Sequence, residues 1–329
     1  MGHESAELPT DSSRSDLIQW NALAICIPTY KRNQSLENLL AALLEQEIAI
    51  SDPPKVSILV IDNNPDRSAQ ASVERFVGRH PDLEVRYYHE ARPGVVHVRN
   101  SALEHAGNVD AIAFIDDDEL PGDGWIAGLW SVFRETGASL VWGRVIARYP
   151  DGTPGWMLKG DFHSGPVPGN VADHDGAGTN NCLISLARIR ALGLSFDPSL
   201  TLIGGEDIML FDAMAQQGER AFGTDAAVTY EIVPIERTSL SWLRARWRRT
   251  GLTDAILYSR GVKAWNKPIA LVQGVARMAL AAPIILLTWV VSGFRVSAAL
   301  ARRFYTFERG RGMITFALGK SIEEYGRGS

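Results

Sequence analysis

The stretch Ala111-Ile112-Ala113-Phe114-Ile115-Asp116-Asp117-Asp118 joins a short apolar run to three consecutive aspartates. An apolar run of this length is typical of a buried strand in a parallel sheet. In open α/β sheets, ligands bind beyond the carboxyl ends of such strands. Three carboxylates there repel one another unless a cation or a basic side chain neutralises them, which favours a site for Mg²⁺ or Mn²⁺. The alternative is a solvated acidic turn that caps a helix beginning near Gly122.

Strand-like and helix-like segments alternate on both sides of this stretch. Hydrophobic periodicity predicts strands near 22–27, 56–61, 84–88, 112–115 and 139–146, and helices near 36–44, 68–79, 95–105, 125–134 and 206–217. The alternation predicts a Rossmann-like α/β fold, with a mainly parallel sheet and helices on both faces. Residues 149–178 lack periodicity and are rich in Gly, Pro, Asp and His, so we expect a functional loop there.

The charges are distributed unevenly along the 329 residues, although the formal net charge is only −5. Residues 1–235 contain 17 Lys or Arg and 33 Asp or Glu, whereas residues 236–329 contain 16 and 5. An acidic body with a basic C-terminal region favours contact of that region with an anionic partner, either a membrane surface or nucleic acid. We therefore expect a flexible tail over 1–20, an α/β domain over 21–235, and a basic and apolar helical region over 236–329.

The two cysteines, Cys26 and Cys182, both lie in apolar surroundings and share no metal-ligand spacing. They are typical of buried thiols in a reducing compartment. The polar stretch from Met1 to Asp16 has no apolar core segment, which argues against a secretory signal.

Five short motifs stand in a fixed order along the chain. They are Ile27-Pro28-Thr29-Tyr30-Lys31-Arg32, Val60-Ile61-Asp62-Asn63, Arg99-Asn100, Ile115-Asp116-Asp117-Asp118 and Gly204-Gly205-Glu206-Asp207. In this order they resemble the motifs of the family 2 inverting glycosyltransferases, which have the GT-A fold. The segment from Gly155 to Ser164, with Ser241-Trp242-Leu243, is similar to the glucosyltransferases of bacterial succinoglycan-type exopolysaccharide assembly. This narrower similarity extends over most of the chain.

The resemblance implies a division of roles among the acidic residues. The metal motif of the family, two aspartates separated by one residue, matches Asp116 and Asp118, which are expected to bind Mg²⁺ or Mn²⁺ beside the nucleotide sugar. Asp117 lies between them, where nucleotide-sugar binding and a helix-capping role are both open. Asp207 is expected to be the general base. The alternative is that Glu206-Asp207 only favours a helix N-terminus electrostatically.

The resemblance also implies binding residues on both sides of the reaction centre. The nucleotide-sugar side comprises Pro28, Thr29, Tyr30, Arg32, Asp62, Arg99, Asp116 and Asp117. The acceptor and diphosphate side comprises Trp156, Asn180, Glu206, Arg246 and Trp247. Structural roles are open for several of them: packing for Tyr30, a surface charge for Arg32 and a salt bridge for Arg99. His97 and His163 could be ligands or acids, but a single histidine is more often structural.

One position departs from the pattern of the family. Related enzymes often carry a histidine near the metal and diphosphate, in the strand that follows the base helix, and Tyr230 stands at that place here. The departure leaves open whether a metal is coordinated from this strand and whether metal dependence is weaker than in the family.

The C-terminal region combines a basic aromatic segment with a long apolar run. Residues 237–249 resemble the arginine-rich region in which the family handles the diphosphate and the membrane-bound acceptor. From Met278 to Phe294 the chain is uncharged for 17 residues, which as a helix reaches about 25 Å against a hydrocarbon core of roughly 30 Å, and Pro283 interrupts it. Basic residues flank both ends, which disfavours a single span. We expect an in-plane or re-entrant element, with a true span and a soluble core helix as alternatives.

The motifs and the resemblance predict an inverting transferase whose catalytic domain covers 21–235. It would move a hexose, expected to be glucose, from a UDP-sugar to a polyprenyl-diphosphate-linked oligosaccharide in exopolysaccharide assembly. The expected location is the cytoplasmic face of the bacterial inner membrane, peripheral or re-entrant. The alternative is a non-catalytic membrane-docking scaffold that keeps the GT-A fold. The acidic body and the apolar stretch argue against nucleic acid as a partner, and no Gly-x-Gly-x-x-Gly follows the first strand as in a dehydrogenase.

Overall fold

The computed structural model describes residues 21–46, 53–201, 203–262 and 266–320. The predicted flexible tail over 1–20 lies outside the described residues, as do residues 321–329 of the predicted C-terminal region. Cys26 and Cys182 are buried free thiols, which confirms the prediction that both are buried.

Eight strands and ten α-helices make up the described chain. The strands are β1 (Ala22–Thr29), β2 (Lys55–Asp62), β3 (Glu84–His89), β4 (Ala111–Ile115), β5 (Glu119–Pro121), β6 (Leu140–Arg148), β7 (Asn181–Ser185) and β8 (Ala221–Ile232). The helices are α1 (Asn33–Leu44), α2 (Gln70–Arg79), α3 (Val95–His105), α4 (Trp125–Thr136), α5 (Gly155–Gly160), α6 (Leu186–Leu192), α7 (Glu206–Gln216), α8 (Leu240–Leu257), α9 (Lys267–Val291) and α10 (Ala298–Ala317). Every element predicted from periodicity is present, whereas the short strand β5 was not predicted.

All eight strands form one sheet in the order β3-β2-β1-β4-β7-β6-β8-β5. The pairs β1–β2, β2–β3, β1–β4 and β6–β8 are parallel, and β7 runs antiparallel between β4 and β6. The short edge strand β5 pairs antiparallel with β8. The mainly parallel sheet is confirmed, and the carboxyl ends of β1, β2 and β4 meet at one rim, immediately before the aspartate run.

Alternate residues of β1 enter two different cores. Leu23, Ile25 and Ile27 pack into the core that contains the apolar face of α1, while Ala24 and Cys26 pack on the other side of the sheet. A strand presents successive side chains to opposite faces, so an all-apolar strand requires cover on both. Helices therefore cover both faces, as predicted.

Glycines allow the C-terminal helices to pack closely. A Cβ atom at Gly251 of α8 would collide with the backbone of Arg309 in α10, and one at Gly312 of α10 would collide with the backbone of Arg248 in α8. Close backbone approach of this kind is available only where no side chain intervenes. Helix α10 also packs along α9, so α10 lies between the other two helices of the region.

Helix α9 continues through Pro283, so the prediction that this proline interrupts the apolar run is wrong. A proline removes only the hydrogen bond that a backbone N–H at its position would donate, and the hydrogen bonds of the residues on either side continue the helix.

With 25 residues, α9 is about 37 Å long, and its apolar surface is exposed: Leu287 is 65% and Val291 is 78% exposed. Among the described helices, α9 alone has the length and composition to cross a membrane. Its orientation relative to a bilayer stays a prediction.

Candidate active site

Thr29, Arg32 and Asp117 are joined by hydrogen bonds at the ends of β1 and β4. Asp117 is buried, its Oδ2 accepts from the Thr29 hydroxyl at 2.8 Å, and its Oδ1 accepts from Nη1 of Arg32 at 2.9 Å. The same Nη1 donates to Oδ2 of Asp118 at 2.8 Å. Arg32 therefore bridges two of the three aspartates, which gives it a larger role than that of an isolated surface charge.

Asp118 faces the end of strand β8. Nη1 of Arg237 lies 4.0 Å from Oδ2 of Asp118 and 3.4 Å from Oε1 of Glu231. The backbone N–H of Ile232 donates to the carbonyl oxygen of Asp118 at 3.0 Å, which holds the aspartate run against β8. Glu119 stands directly opposite Glu231 in the antiparallel β5–β8 ladder. The rim thus combines carboxylates from the aspartate run, β5 and β8 with the guanidinium groups of Arg32 and Arg237.

The electrostatics of this rim favour an added positive charge. Burial raises the pKa of Asp116, with Arg99 opposing the shift and Asp118 and Asp117 adding to it, and the resulting pKa is about 7. Burial also raises the pKa of Glu119 well above its ordinary value, with the charge of Asp116 adding to the effect. A raised carboxyl pKa means that the ionised form is disfavoured, so a cation near these groups would favour it.

Asp116 and Asp118 fit the oxygen-only donor set that Mg²⁺ and Mn²⁺ prefer. No three His, Cys, Asp or Glu side chains of the described residues form a group that could hold a metal by themselves. Mg²⁺ commonly takes one or two protein carboxylates and completes its shell with water and substrate phosphates. A cation at this rim would therefore depend on oxygens from a bound ligand.

Tyr230 and Glu231 point to opposite faces of β8. The guanidinium of Arg148 lies 4.1 Å above the Tyr230 ring, whereas Glu231 lies beside Arg237 and lines a cavity next to the rim. Successive residues of a strand alternate in direction, so only one of the two can face the aspartates. The residue that approaches the aspartates from this strand is Glu231.

Arg99 of α3 and Glu206 of α7 form a buried ion pair. Arg99 is 7% exposed and Glu206 is 5% exposed. Arg99 also opposes the raised pKa of Asp116, so its positive charge acts on the aspartate rim as well as on Glu206. The salt bridge considered for Arg99 is present, and contacts of Arg99 and Glu206 with a diphosphate stay predictions.

Asp207 is the second residue of α7, and it follows Glu206, which comes directly after two glycines. Gly204 and Gly205 have φ angles of 82° and 83°, in the left-handed region that favours glycine. Oδ1 of Asp207 accepts from the backbone N–H of Ile208 at 2.8 Å. Its Oδ2 would lie 3.9 Å from a Cβ atom at Gly178. The half-buried carboxylate therefore reaches the loop that precedes β7.

A cavity of about 190 Å³ lies beside the loop that Asp207 reaches and beside the end of β8. Gly178, the neighbour of Asp207, lines one part of it, and Glu231, on the side of Asp118, lines another. Asp207 and Asp118 thus lie next to residues of one cavity, although neither is among the residues that line it.

Asn180 and Arg246, both predicted on the acceptor side, line this cavity together. Nδ2 of Asn180 donates to Oε1 of Glu119 at 2.7 Å, which ties the loop before β7 to strand β5. Arg246 comes from α8, and its guanidinium lies 5.4 Å from the centroid of the Trp242 ring. The C-terminal helices thus contribute a wall of the cleft.

Three residues that were predicted to bind the nucleotide sugar differ in solvent exposure and in their contacts. Asp62 is fully buried: its Oδ1 accepts from the N–H of Asn64, and its Oδ2 accepts from Ala69 and from the Tyr87 hydroxyl. Tyr30 is 47% exposed. Pro28 lies within β1, paired with Ile61 of β2. Asp62 therefore shapes the turn after β2, and nucleotide contacts of all three stay predictions.

Trp156 and Trp247 belong to an aromatic cluster between the α/β domain and the C-terminal helices. The Trp247 ring is nearly buried and packs edge-on against Phe162 at 5.7 Å and Tyr305 at 5.7 Å between centroids. Trp156 packs against Phe162 at 6.0 Å. The packing role is therefore the one that the structure describes for both tryptophans, and their acceptor role stays a prediction.

Sequence reasoning missed Glu119 and Glu231 as parts of the site, placed Arg237 only within the arginine-rich segment over 237–249, and left open whether His163 is a ligand, an acid or a structural residue. Their proximity depends on the β5–β8 pairing and on the path of the loop over 149–180. A short edge strand of three residues carries no periodicity, so no sequence signal pointed to these contacts.

The chain is similar to known glycosyltransferases in sequence. Residues 24–183 match the model of glycosyl transferase family 2. The succinoglycan biosynthesis protein ExoM of Rhizobium meliloti (strain 1021) is 34% identical over 315 residues, which cover 92% of this chain and 95% of ExoM.

Two solved structures share its fold. The mannosyltransferase PcManGT from Pyrobaculum calidifontis, in complex with GDP-Man and Mn²⁺, has a TM-score of 0.59 at 19% identity over 93% of this chain and 92% of its own. GalNAc-T7 with UDP, GalNAc and Mn²⁺ has a TM-score of 0.50 at 15% identity over 73% of this chain and 50% of its own. Because the identity to ExoM extends over nearly both whole chains, the protein belongs to glycosyl transferase family 2 and is a glycosyltransferase with a GT-A-like fold.

Proposed function

We propose that the protein is an inverting glycosyltransferase that moves a hexose, in our assignment glucose, from a UDP-sugar to a polyprenyl-diphosphate-linked oligosaccharide. The observation that carries the proposal is that Asp207 lies beside Gly178, and Asp118 lies near Arg237 and Glu231, so the two aspartates stand next to different walls of the same cavity. Direct displacement at the anomeric carbon needs a proton acceptor and a leaving-group site on opposite sides of one sugar.

Each side of the cleft has residues suited to one part of this reaction. Asp207 accepts the proton of the acceptor hydroxyl as its oxygen attacks the anomeric carbon. Arg32 and Arg237, held beside Asp118 by ion pairs, stabilise the negative charge that the departing diphosphate acquires. The Arg99–Glu206 pair positions the start of α7, and with it Asp207.

Asp118 and Asp116 would hold Mg²⁺ or Mn²⁺. The ion would supply charge neutralisation of the diphosphate leaving group. Two solved relatives in fold support this assignment, since PcManGT was obtained with GDP-Man and Mn²⁺ and GalNAc-T7 with UDP and Mn²⁺. Thr29 orients Asp117 through its hydroxyl, and Arg32 links Asp117 to Asp118, so the aspartates keep a defined geometry.

We expect UDP to stabilise the full-length chain, and Mn²⁺ to enlarge that stabilisation. Ligand at about one hundred times its Kd adds about 2.7 kcal/mol to the free energy of unfolding, which is a rise of several degrees in Tm. Asp118→Asn removes a carboxylate from the metal pair and should abolish the Mn²⁺-dependent part of the rise. Thermal-shift measurements with UDP, with and without Mn²⁺ and with EDTA, test this.

Asp82→Asn is the matched control, because Asp82 is exposed in the turn before β3, at the opposite end of the strands. It should respond to UDP and Mn²⁺ as the unmodified chain does. No shift with any uridine nucleotide would remove the UDP-sugar assignment, and a full Mn²⁺ effect in Asp118→Asn would remove the metal assignment.

Helix α9 supports a place at the cytoplasmic surface of the inner membrane. Its exposed apolar side chains form a surface larger than isolated apolar residues provide, and Arg277 and Arg295 flank the uncharged run from Met278 to Phe294. A lipid-linked acceptor presents its diphosphate at such a surface. The relation to ExoM, a succinoglycan biosynthesis protein, supports an acceptor of this class.

Leu287→Asp should weaken binding of the full-length chain to vesicles of zwitterionic and anionic lipids at least tenfold in a flotation assay. Moving a carboxylate towards the hydrocarbon region costs more than 2 kcal/mol. Leu83→Asp changes a similarly apolar, exposed residue far from α9 and should leave flotation unchanged. Equal flotation of Leu287→Asp and the unmodified chain would contradict a membrane role for α9.

A further inference from the structure

His163 is held rigidly in the wall of the cleft, and its role was not resolved by the sequence. It follows α5, is 5% exposed, and its ring stacks on Trp242 of α8 with centroids 5.2 Å apart and planes 24° apart. The same residue lines the cavity beside Asn180 and Arg246. A ring fixed between two elements presents its edge in one direction only.

Hydrogen bonds around Tyr149 determine which nitrogen of His163 carries the proton. The Tyr149 hydroxyl has one proton, which it donates to Oδ1 of Asp161 at 3.3 Å, because a carboxylate can only accept. The Tyr149 oxygen then accepts from the His163 backbone N–H at 3.3 Å and from Nδ1 at 3.2 Å. Nδ1 is therefore the protonated nitrogen, and Nε2 carries a lone pair.

Nε2 of His163 has no hydrogen-bond partner among the residues that the structure describes, although it is buried. A buried polar atom without a partner is costly, and most such atoms in proteins are satisfied. Burial, together with the charges of Arg246 and Arg237, lowers the pKa of His163 to about 4, so the ring is neutral near pH 7. The atom therefore requires a hydrogen-bond donor.

The walls of the cavity favour a hydroxyl-bearing ring. Gly143 and Gly178 contribute no side chains, and a Cβ atom at Gly143 would collide with the carbonyl oxygen of Ala227 and lie 2.7 Å from Nδ2 of Asn181. Arg246 offers donors, whereas Glu231 and Nε2 of His163 offer acceptors. The diphosphate of a nucleotide sugar has no proton to donate to those acceptors near neutral pH, but a sugar hydroxyl both donates and accepts. At about 190 Å³, the cavity is smaller than the roughly 300 Å³ of sites for drug-sized ligands.

The cavity lies on the half of the sheet opposite the predicted nucleotide residues. Its walls come from β6, β8, the loop before β7 and α8, whereas Thr29 and Asp62 end β1 and β2. Helix α8 leads directly into the helical region that contains α9. A sugar attached to a membrane-bound lipid would reach the cleft from this side.

We propose that this cavity binds the sugar ring of the acceptor, and that Nε2 of His163 accepts a hydrogen bond from one of its hydroxyl groups. His163 is then a positioning and specificity residue that sets the ring orientation relative to Asp207, which Gly178 separates from the cavity. The inference rests on the proposed function and adds to it the acceptor contact.

Ligand-observed NMR on the full-length chain tests the proposal with methyl α- and β-glucosides and galactosides at about 50 mM, above the millimolar Kd of a ligand with few contacts. His163→Phe keeps a ring on Trp242 but removes Nε2, and it should weaken glycoside binding about tenfold. His163→Gln places an amide near the position of Nε2 and should recover most of the binding. The UDP-induced rise in Tm should be the same in all three proteins.

Several outcomes would overturn the proposal. They are no glycoside signal with the unmodified chain, equal binding by His163→Phe, or glycoside signals that inorganic phosphate displaces. A loss of the UDP response in His163→Phe would place the cavity on the donor side and would also overturn it. An unchanged UDP response without glycoside binding would reject this inference and leave the proposed donor chemistry intact.

Discussion

Asp207→Asn should lower the rate of sugar transfer by about 10²- to 10⁴-fold, the range that a positioned general base contributes. The substitution removes the proton-accepting charge and changes the side chain by one atom. The backbone of the helix start is set by the two glycines and by the hydrogen bond from Thr253 of α8 to the carbonyl oxygen of Ile203, so we expect its geometry to persist. The loss should therefore appear in kcat and in kcat/KM alike.

UDP binding provides the internal test of that expectation. The nucleotide residues end β1, β2 and β4, while Asp207 lies in the first turn of α7 beside Gly178, so the UDP-induced shift in Tm should be retained in Asp207→Asn. Asp212→Asn is the matched control, because Asp212 lies on the same helix, its Oδ2 accepts from Gln216 one turn later, and its Oδ1 lies 3.8 Å from Nε2 of His174. It should transfer sugar at close to the normal rate. Unchanged transfer by Asp207→Asn would refute the base assignment.

Arg99→Met should destabilise the folded chain by about 3–5 kcal/mol, which is a fall of roughly 5–10 °C in Tm. Arg99 and Glu206 are both buried, so removal of the guanidinium leaves the Glu206 carboxylate charged or forces it to take up a proton. Either result costs more than the loss of an exposed ion pair. Chemical denaturation followed by circular dichroism measures the difference.

A second variant separates the buried charge from simple loss of packing. Arg99→Met combined with Glu206→Met replaces both charges by apolar side chains, and such replacements are often neutral or stabilising. We expect the double variant to recover most of the lost stability. Arg92→Met is the surface control: Arg92 pairs with Glu90 at 2.7 Å but its side chain is 61% exposed, and Tm should barely change. An equal Tm for Arg99→Met and Arg92→Met would contradict the assignment.

The sequence predicted the α/β layers well because their signals are local. Alternating apolar runs and the leucines of α1 report burial wherever the neighbours lie, so the strand and helix positions and the two-sided core followed from periodicity. The position of the aspartate run after β4 also followed, since it depends only on where an apolar strand ends. The β5 strand and the continuity of α9 through Pro283 did not follow, because a three-residue strand and a single proline give weak or misleading local signals.

Family membership was within reach of the sequence, because ordered short motifs carry it without any knowledge of distances. The set of residues that line the cleft could not be predicted from the sequence. Glu231, rather than Tyr230, faces Asp118 because successive side chains of β8 point to opposite faces of the sheet. Which of the two faces the aspartates depends on the register between β8 and β5, and these strands are more than 100 residues apart in the sequence. The free nitrogen of His163 likewise depends on a hydroxyl of Tyr149 and a ring of α8. The chain alone determined which groups are present, and tertiary packing decided which of them share one cavity.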